Sequence, residues 1–100
     1  MVAHVGLTTS GSIGAKTSLT LPEAAAVIAD IAMAAKRVNP DVMVLCHGGP
    51  IASPADAQYI MDNTPPGMVH GFYGASSFER LPVEQAIKAC VQEFKGMQLR

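Results

Sequence analysis

The sequence predicts an α/β fold of three consecutive βα units, with parallel strands and the helices on one face of the sheet. Three observations carry this. Apolar runs at residues 2–9, 42–46 and 68–72 are short, and each ends in glycine or small polar residues. Each run is followed by a stretch with helical spacing of apolar residues. The helical stretches open on capping residues and proline. Strands that alternate with helices pair in parallel through right-handed crossovers.

The first strand is read as Val2–Thr9, an apolar run bounded by Thr and Ser. Residues 10–19, SGSIGAKTSL, form a polar loop. Thr20 and Glu23 then make a T-x-x-E capping box, with Pro22 in the first turn. Ala24, Val27, Ile28, Ile31, Ala35 and Val38 follow as one apolar stripe. Asn39-Pro40-Asp41 ends the helix, because the residue before proline disfavours helical geometry.

The second strand, Val42–Cys46, is continuously apolar, as strands covered on both faces are. HGGP turns the chain. Ser53, Pro54 and Asp56 open a second helix over about 54–63, which buries Ala57, Ile60 and Met61. Thr64-Pro65-Pro66-Gly67 stops it. The third strand is Met68–Phe72. A short turn leads to a helix over about 82–95, whose apolar face is Val83, Ile87, Cys90, Val91 and Phe94. Glu84 and Lys88 support it as an i,i+4 pair, and Gly96 is placed to end it. Met33, Met43 and Met61 read as core filler.

One hundred residues, 49% of them apolar, make one small ordered domain. Seven basic and eight acidic residues leave a net charge of −1. No basic block offers a nucleic-acid surface, and no basic amphipathic helix offers a membrane surface. Cys46 and Cys90 lack the spacing of a zinc or redox pair and read as two buried free thiols. Without a signal-peptide pattern or a long apolar run, the cytoplasm is the expected location.

Three such units do not close a sheet. The face opposite the helices stays apolar and uncovered, and the strand edges stay unpaired. A closed barrel needs eight units. The chain therefore reads as part of a barrel, or as a protomer that relies on neighbouring chains.

The segments VLCHGGPI and VHGFYGASSFERLPVEQAI closely resemble the C-terminal end of the phosphoenolpyruvate hydrolase-like TIM-barrel family. That family also supplies the C-terminal domain of a plant antiviral resistance protein. AHVGLTTSGSIGAKT resembles the preceding strand and loop of the same family. The resemblance implies a partial TIM barrel in which residues 1–100 are the last three of eight βα units. It implies cleavage of phosphoenolpyruvate or a related small acid. A divalent metal cofactor stays open, with its ligands expected on the other strands.

TIM-barrel sites lie at the carboxyl ends of the strands, and phosphates often bind between the loops after the last two. On that rule His47–Ile51 and Gly71–Ser77 frame a site for a small anionic metabolite. Gly48, Gly49, Gly74 and Ala75 would let a ligand oxygen reach backbone N–H groups, while Ser76 and Ser77 add hydroxyls. Thr8 lies near the mouth. Lys16 is the charge on a Ser10–Thr17 loop that would close as a lid. The plainer reading gives the glycines only tight turns to make and leaves the loop solvated.

His47, where its strand meets the glycines, is the candidate acid/base or orienting group. His4 and His70 read as structural and Tyr73 as packing. The three histidines come one per strand at different heights, which disfavours a metal site. SGSIGAKT resembles a Walker A loop but has Ala15 between the glycine and the lysine. HGG resembles an esterase oxyanion hole, yet the chain has no G-x-S-x-G elbow.

Two functions follow. One is part of a hydrolase- or lyase-like barrel acting on a small phosphorylated or carboxylic acid. The other is a non-catalytic chain that assembles, as a homo-oligomer or with a complementing barrel segment, through its apolar sheet face. A small flavodoxin-like regulatory domain is a third, and it requires helices on both faces of the sheet.

Overall fold

The computed structural model describes residues 1–14, 16 and 19–100. Strands β1 (Val2–His4), β2 (Leu45–His47) and β3 (Gly71–Phe72) form one parallel sheet in that order. Val2, Ala3 and His4 face Leu45, Cys46 and His47, and Leu45 and Cys46 face Gly71 and Phe72. The fold is α/β, and its strand order and direction are those of consecutive βα units of a barrel.

The strands are shorter than the apolar runs that announced them. β1 stops at His4, not Thr9, because the His4 ring closes a local turn by accepting the Gly6 N–H through Nδ1 (3.1 Å). Past His4 the chain still bonds to β2, but irregularly. Val5 donates to the His47 carbonyl, and Gly49 donates to that of Gly6. β2 begins at Leu45, not Val42, and β3 at Gly71, not Met68.

Helices α1 (Leu21–Val38) and α2 (Pro54–Asp62) begin where the sequence supplies caps. The Thr20 hydroxyl accepts the Glu23 N–H (3.4 Å), and the Glu23 carboxylate accepts the Thr20 N–H (2.7 Å). The Thr20 N–H and, secondarily, the Thr20 hydroxyl donate to the Glu23 carboxylate and hold it below its usual range. Ser53 and Asp56 repeat the box at α2. Partial burial pushes the Asp56 carboxyl up. The N–H and hydroxyl of Ser53 and the N–H of Ala52 more than offset this, leaving it below the usual carboxylate range.

α1 and α2 cover one face of the sheet. Ala3, Val44, Cys46, Ile51, Ala24, Ala25, Ile28, Ala32, Ala57 and Ile60 form the core. The alanines let α1 approach closely, and Ile28, Ile51 and Ile60 fill the space that remains. The buried line of α1 is rotated from the expected stripe. Ala25 and Ala32 replace Val27 and Val38, which are 38% and 89% exposed. Met33 and Met43 are exposed instead of filling the core, and only Met61 is partly buried.

The largest departure follows β3. The expected turn is a short helix, α3 (Ser76–Glu79), and it leads into α4 (Leu81–Lys95). α4 does not return to the sheet. Every residue from Gln85 to Arg100 is exposed, including the whole expected apolar face. Cys90 is therefore an exposed thiol, not a buried one, whereas Cys46 is buried. α4 thus extends away from the body, and the molecule is elongated, 69 × 23 × 18 Å.

Only the first turn of α4 is anchored. Glu84 pairs with Arg80 (2.9 Å), not with Lys88, and also accepts the Ser12 N–H. Arg80 donates to the Ser10 carbonyl (2.7 Å). Ser12 first, and then the Arg80 guanidinium, hold the Glu84 carboxyl below its usual range. Gly11 lies under this clamp at φ +90°, where a Cβ would overlap the Arg80 guanidinium.

Candidate functional site

Strand alternation sends Ala3 and Cys46 toward the helices and places Val2, His4, Leu45 and His47 on the open face. The register pairs His4 with His47, so these two imidazoles stand at one height. That corrects the expectation of different heights for this pair, while His70, one residue before β3, stays at a different height. Their ring centroids are 4.8 Å apart in an edge-to-face arrangement. Tyr73, the residue after β3, extends the row, 5.1 Å from the His47 ring. The row crosses the carboxyl ends of all three strands, where α/β proteins place their ligands.

Backbone contacts assign the two ring tautomers. His47 Nδ1 donates to the Tyr73 carbonyl (2.6 Å), because a carbonyl can only accept. In neutral His47 this leaves Nε2 as a bare acceptor. His4 Nδ1 accepts from Gly6, so its proton sits on Nε2. Side by side, the histidines present one acceptor and one donor. His47 can take a proton on Nε2 and return it without losing its tie to Tyr73, as a general base requires.

His70 does not join them. It is exposed, and its Nδ1 accepts the Val44 N–H (3.1 Å), a structural bond at the strand edge and not a core position. Among the described residues, no three His, Cys, Asp or Glu side chains group so as to hold a metal ion.

The predicted anion-binding residues separate. Gly48 and Gly49 both adopt left-handed φ, +86° and +56°. A Cβ at Gly48 would overlap the Gly6 carbonyl oxygen. Gly49 spends its N–H on Gly6, and its carbonyl accepts the N–H and hydroxyl of Thr9. These glycines therefore bind the β1 extension to the β2 turn, and Thr9, not Thr8, is the threonine tied there.

Gly74 and Ala75 follow Tyr73, and their N–H groups donate no hydrogen bond among the described residues. Ser77 lines a different concavity of about 670 Å³, with Ser10, Ser12, Ser53, Asp56 and Lys88. Thr8 is half-buried, and Lys16 is exposed. Neither lines that groove. Ala15 and Thr17 of the expected lid lie outside the described residues. Its start is docked on α4 by Arg80 and Glu84, two residues whose part in this contact went unread in the sequence. The signal was present as RLPVE, a basic and an acidic residue at i,i+4 beside a polar loop.

The geometry defines a class: a parallel α/β segment with imidazoles aligned at the carboxyl ends of its strands. Comparison with known families narrows this. The chain belongs to the phosphoenolpyruvate hydrolase-like family, whose model matches residues 1–97. It is 60% identical over 99 residues to the tomato (Solanum lycopersicum) "ToMV susceptible protein tm-1(GCR26)" and 59% identical to "ToMV resistance protein Tm-1(GCR237)". It is 28% identical over 94 residues to a "putative transcriptional regulatory protein" of Sinorhizobium fredii. The matches cover 99% of the chain but only 13% of each tomato relative.

Proposed function

We propose that residues 1–100 form the last three βα units of a (β/α)8 barrel. The barrel is a hydrolase- or lyase-like enzyme for a small phosphorylated or carboxylic acid, with phosphoenolpyruvate the first candidate. The observation that carries this is the His4–His47–Tyr73 row on the face that five further units would enclose. His47 moves the proton through Nε2, and His4 donates from its own Nε2 to a substrate oxygen. The unpaired amides of Gly74 and Ala75, with the Ser76 hydroxyl, meet the anion. Membership of the family supports the substrate class, and the chemistry of the row supports the proton transfer.

The test uses the intact protein. Phosphoenolpyruvate and inorganic phosphate are titrated by ligand-detected NMR, and turnover is followed with and without His47→Gln. The expected result is binding in both proteins, with turnover at least ~100-fold lower in the variant. Unchanged turnover removes His47 from the chemistry. Absence of binding by either ligand removes the anion site.

A second reading is favoured by the uncovered sheet face and by the 60% identity to a ToMV susceptible protein. On it, the chain is a non-catalytic assembly element whose open face docks on a complementing barrel segment. That reading predicts stable binding of the complementing segment and no turnover.

A further inference from the structure

Two separate sets of bonds hold the proposed site. The sheet holds the rings. The Tyr73 N–H donates to the Cys46 carbonyl (2.9 Å), and His47 Nδ1 donates to the Tyr73 carbonyl. The turn after Tyr73 is held from the other side. The Ala75 carbonyl accepts the N–H groups of Phe78 and Glu79, and the Ser76 carbonyl accepts that of Arg80 (3.1 Å). Arg80 is thus tied by its backbone to the turn that carries the Gly74 and Ala75 amides.

The Arg80 side chain reaches the other way, to the loop after β1. Nη2 donates to the Ser10 carbonyl (2.7 Å), and Nη1 pairs with Glu84 Oε2 (2.9 Å). Glu84 Oε1 accepts the Ser12 N–H. The two side chains are 19% and 21% exposed, which spares the pair much of the solvent screening that weakens surface ion pairs. β1 and β3 are separated by β2, so sheet pairing does not set the distance between the loops that follow them. The clamp does, and Ser10, Ser12 and Ser77 line one concavity beside it.

We propose that Arg80 and Glu84 are positioning residues for anion binding: they clamp the β1 loop to the first turn of α4 and so hold the Gly74–Ser76 turn where its amides meet the substrate. This role presupposes the anion site proposed above. Neither residue touches the substrate, and both act through the backbone they hold. Binding therefore depends on the clamp, whereas proton transfer by His47 depends on bonds to the sheet. The sign of one substitution separates positioning from charge. Removing the Glu84 carboxylate favours an anion on electrostatic grounds alone. It also frees Arg80 and Ser12, which weakens binding where the clamp sets the turn. Lysine cannot replace Arg80, because a single ammonium does not reproduce a guanidinium fork held by two acceptors.

The test compares the intact protein with its Glu84→Gln and Arg80→Lys variants. Phosphoenolpyruvate and inorganic phosphate are titrated by ligand-detected NMR, with turnover and urea unfolding measured alongside. Each variant should raise Kd roughly 10-fold, the loss of one charge-assisted hydrogen bond, and leave kcat within about twofold. The double variant should lose no more than either single one, since the two side chains act as a unit. Gly11→Ala, whose Cβ displaces the Arg80 guanidinium, should match them without altering either residue. The urea midpoint of the core should not move. Unchanged or tighter binding by Glu84→Gln overturns the proposal, as do additive losses or a fall in kcat equal to the rise in Kd. A urea midpoint that falls with the affinity reduces the pair to a structural role and overturns it too. If the unaltered protein binds neither anion, the anion site itself falls and this role with it. If it binds and the variants bind equally well, the clamp alone is refuted.

Discussion

The body of the molecule and its α4 arm are built from the same kind of helix and meet opposite fates. α1 buries Ala24, Ala25, Ile28 and Ala32 completely or nearly so, while α4 buries none of its fifteen residues. Both are amphipathic, both open on proline in the first turn, and both carry a basic last turn. The difference is what lies opposite. α1 faces a sheet surface of Ala3, Val44 and Cys46, whose small side chains admit a helix. α4 is steered outward by α3 and by the Arg80–Glu84 clamp on the β1 loop. Periodicity says that a helix has a face to bury, and the connection decides where it looks.

The sharpest way to break this comparison is chemical. Cys46 is fully buried, and burial pushes its thiol up, away from the reactive thiolate. Cys90 is exposed. In the native protein, under conditions that keep it monomeric, a thiol reagent should label Cys90 at least ~1,000-fold faster than Cys46. Cys46 then reacts only through opening of a core worth about 5 kcal/mol or more. Equal rates would mean that the core does not exclude solvent.

Core truncation should show the same asymmetry. Ile28→Ala should cost about 3–4 kcal/mol in urea unfolding, the range for a fully buried isoleucine. Ile87→Ala, 60% exposed, should cost less than about 0.5 kcal/mol under the same monomeric conditions. Comparable losses would place α4 against the core.

Gly48→Ala tests the joint between β1 and β2. The added Cβ meets the Gly6 carbonyl oxygen at a left-handed backbone position, so a loss of about 2–3 kcal/mol is expected. Gly11→Ala should spare the body and release the arm. The result to look for is faster amide exchange through residues 81–84 with an unchanged midpoint for the core.

The smallest expected effect is a cap. Ser53→Ala should cost about 1 kcal/mol at neutral pH by removing the hydroxyl from the α2 capping box. The linked pH effect follows from Asp56. Its folded carboxyl sits below the ordinary value, so its contribution is fully present above about pH 4. It disappears as pH falls through the depressed folded value. Ser53→Ala should therefore also flatten the acid limb of the stability curve. A variant with an unchanged acid limb would remove the hydroxyl from the cause of that depression.

Local chemistry was legible in the residues themselves. Thr20–Glu23 and Ser53–Asp56 were readable as capping boxes, because a cap needs only neighbours within three positions. The three strands, their order along the chain and the break at Asn39-Pro40 were readable for the same reason. The candidate site was legible in His47 and in the Gly74-Ala75-Ser76 turn. His4 and Tyr73 looked structural, since nothing local shows that His4 pairs with His47 or that the Tyr73 carbonyl holds its ring. Gly48 and Gly49 invited a ligand, yet their space is filled by the β1 extension, a partner forty residues away.

The sequence by itself determined the α/β class, the helices with their caps, and the family to which the chain belongs. It did so through contacts of short reach and through motifs spelled out in consecutive residues. Tertiary structure alone decided the register that aligns two imidazoles, the rotation of the buried face of α1, and the exposure of α4 and Cys90. Those outcomes depend on which surfaces meet after the chain has turned. A side chain is buried by a partner distant in sequence, and no periodicity within a helix names that partner.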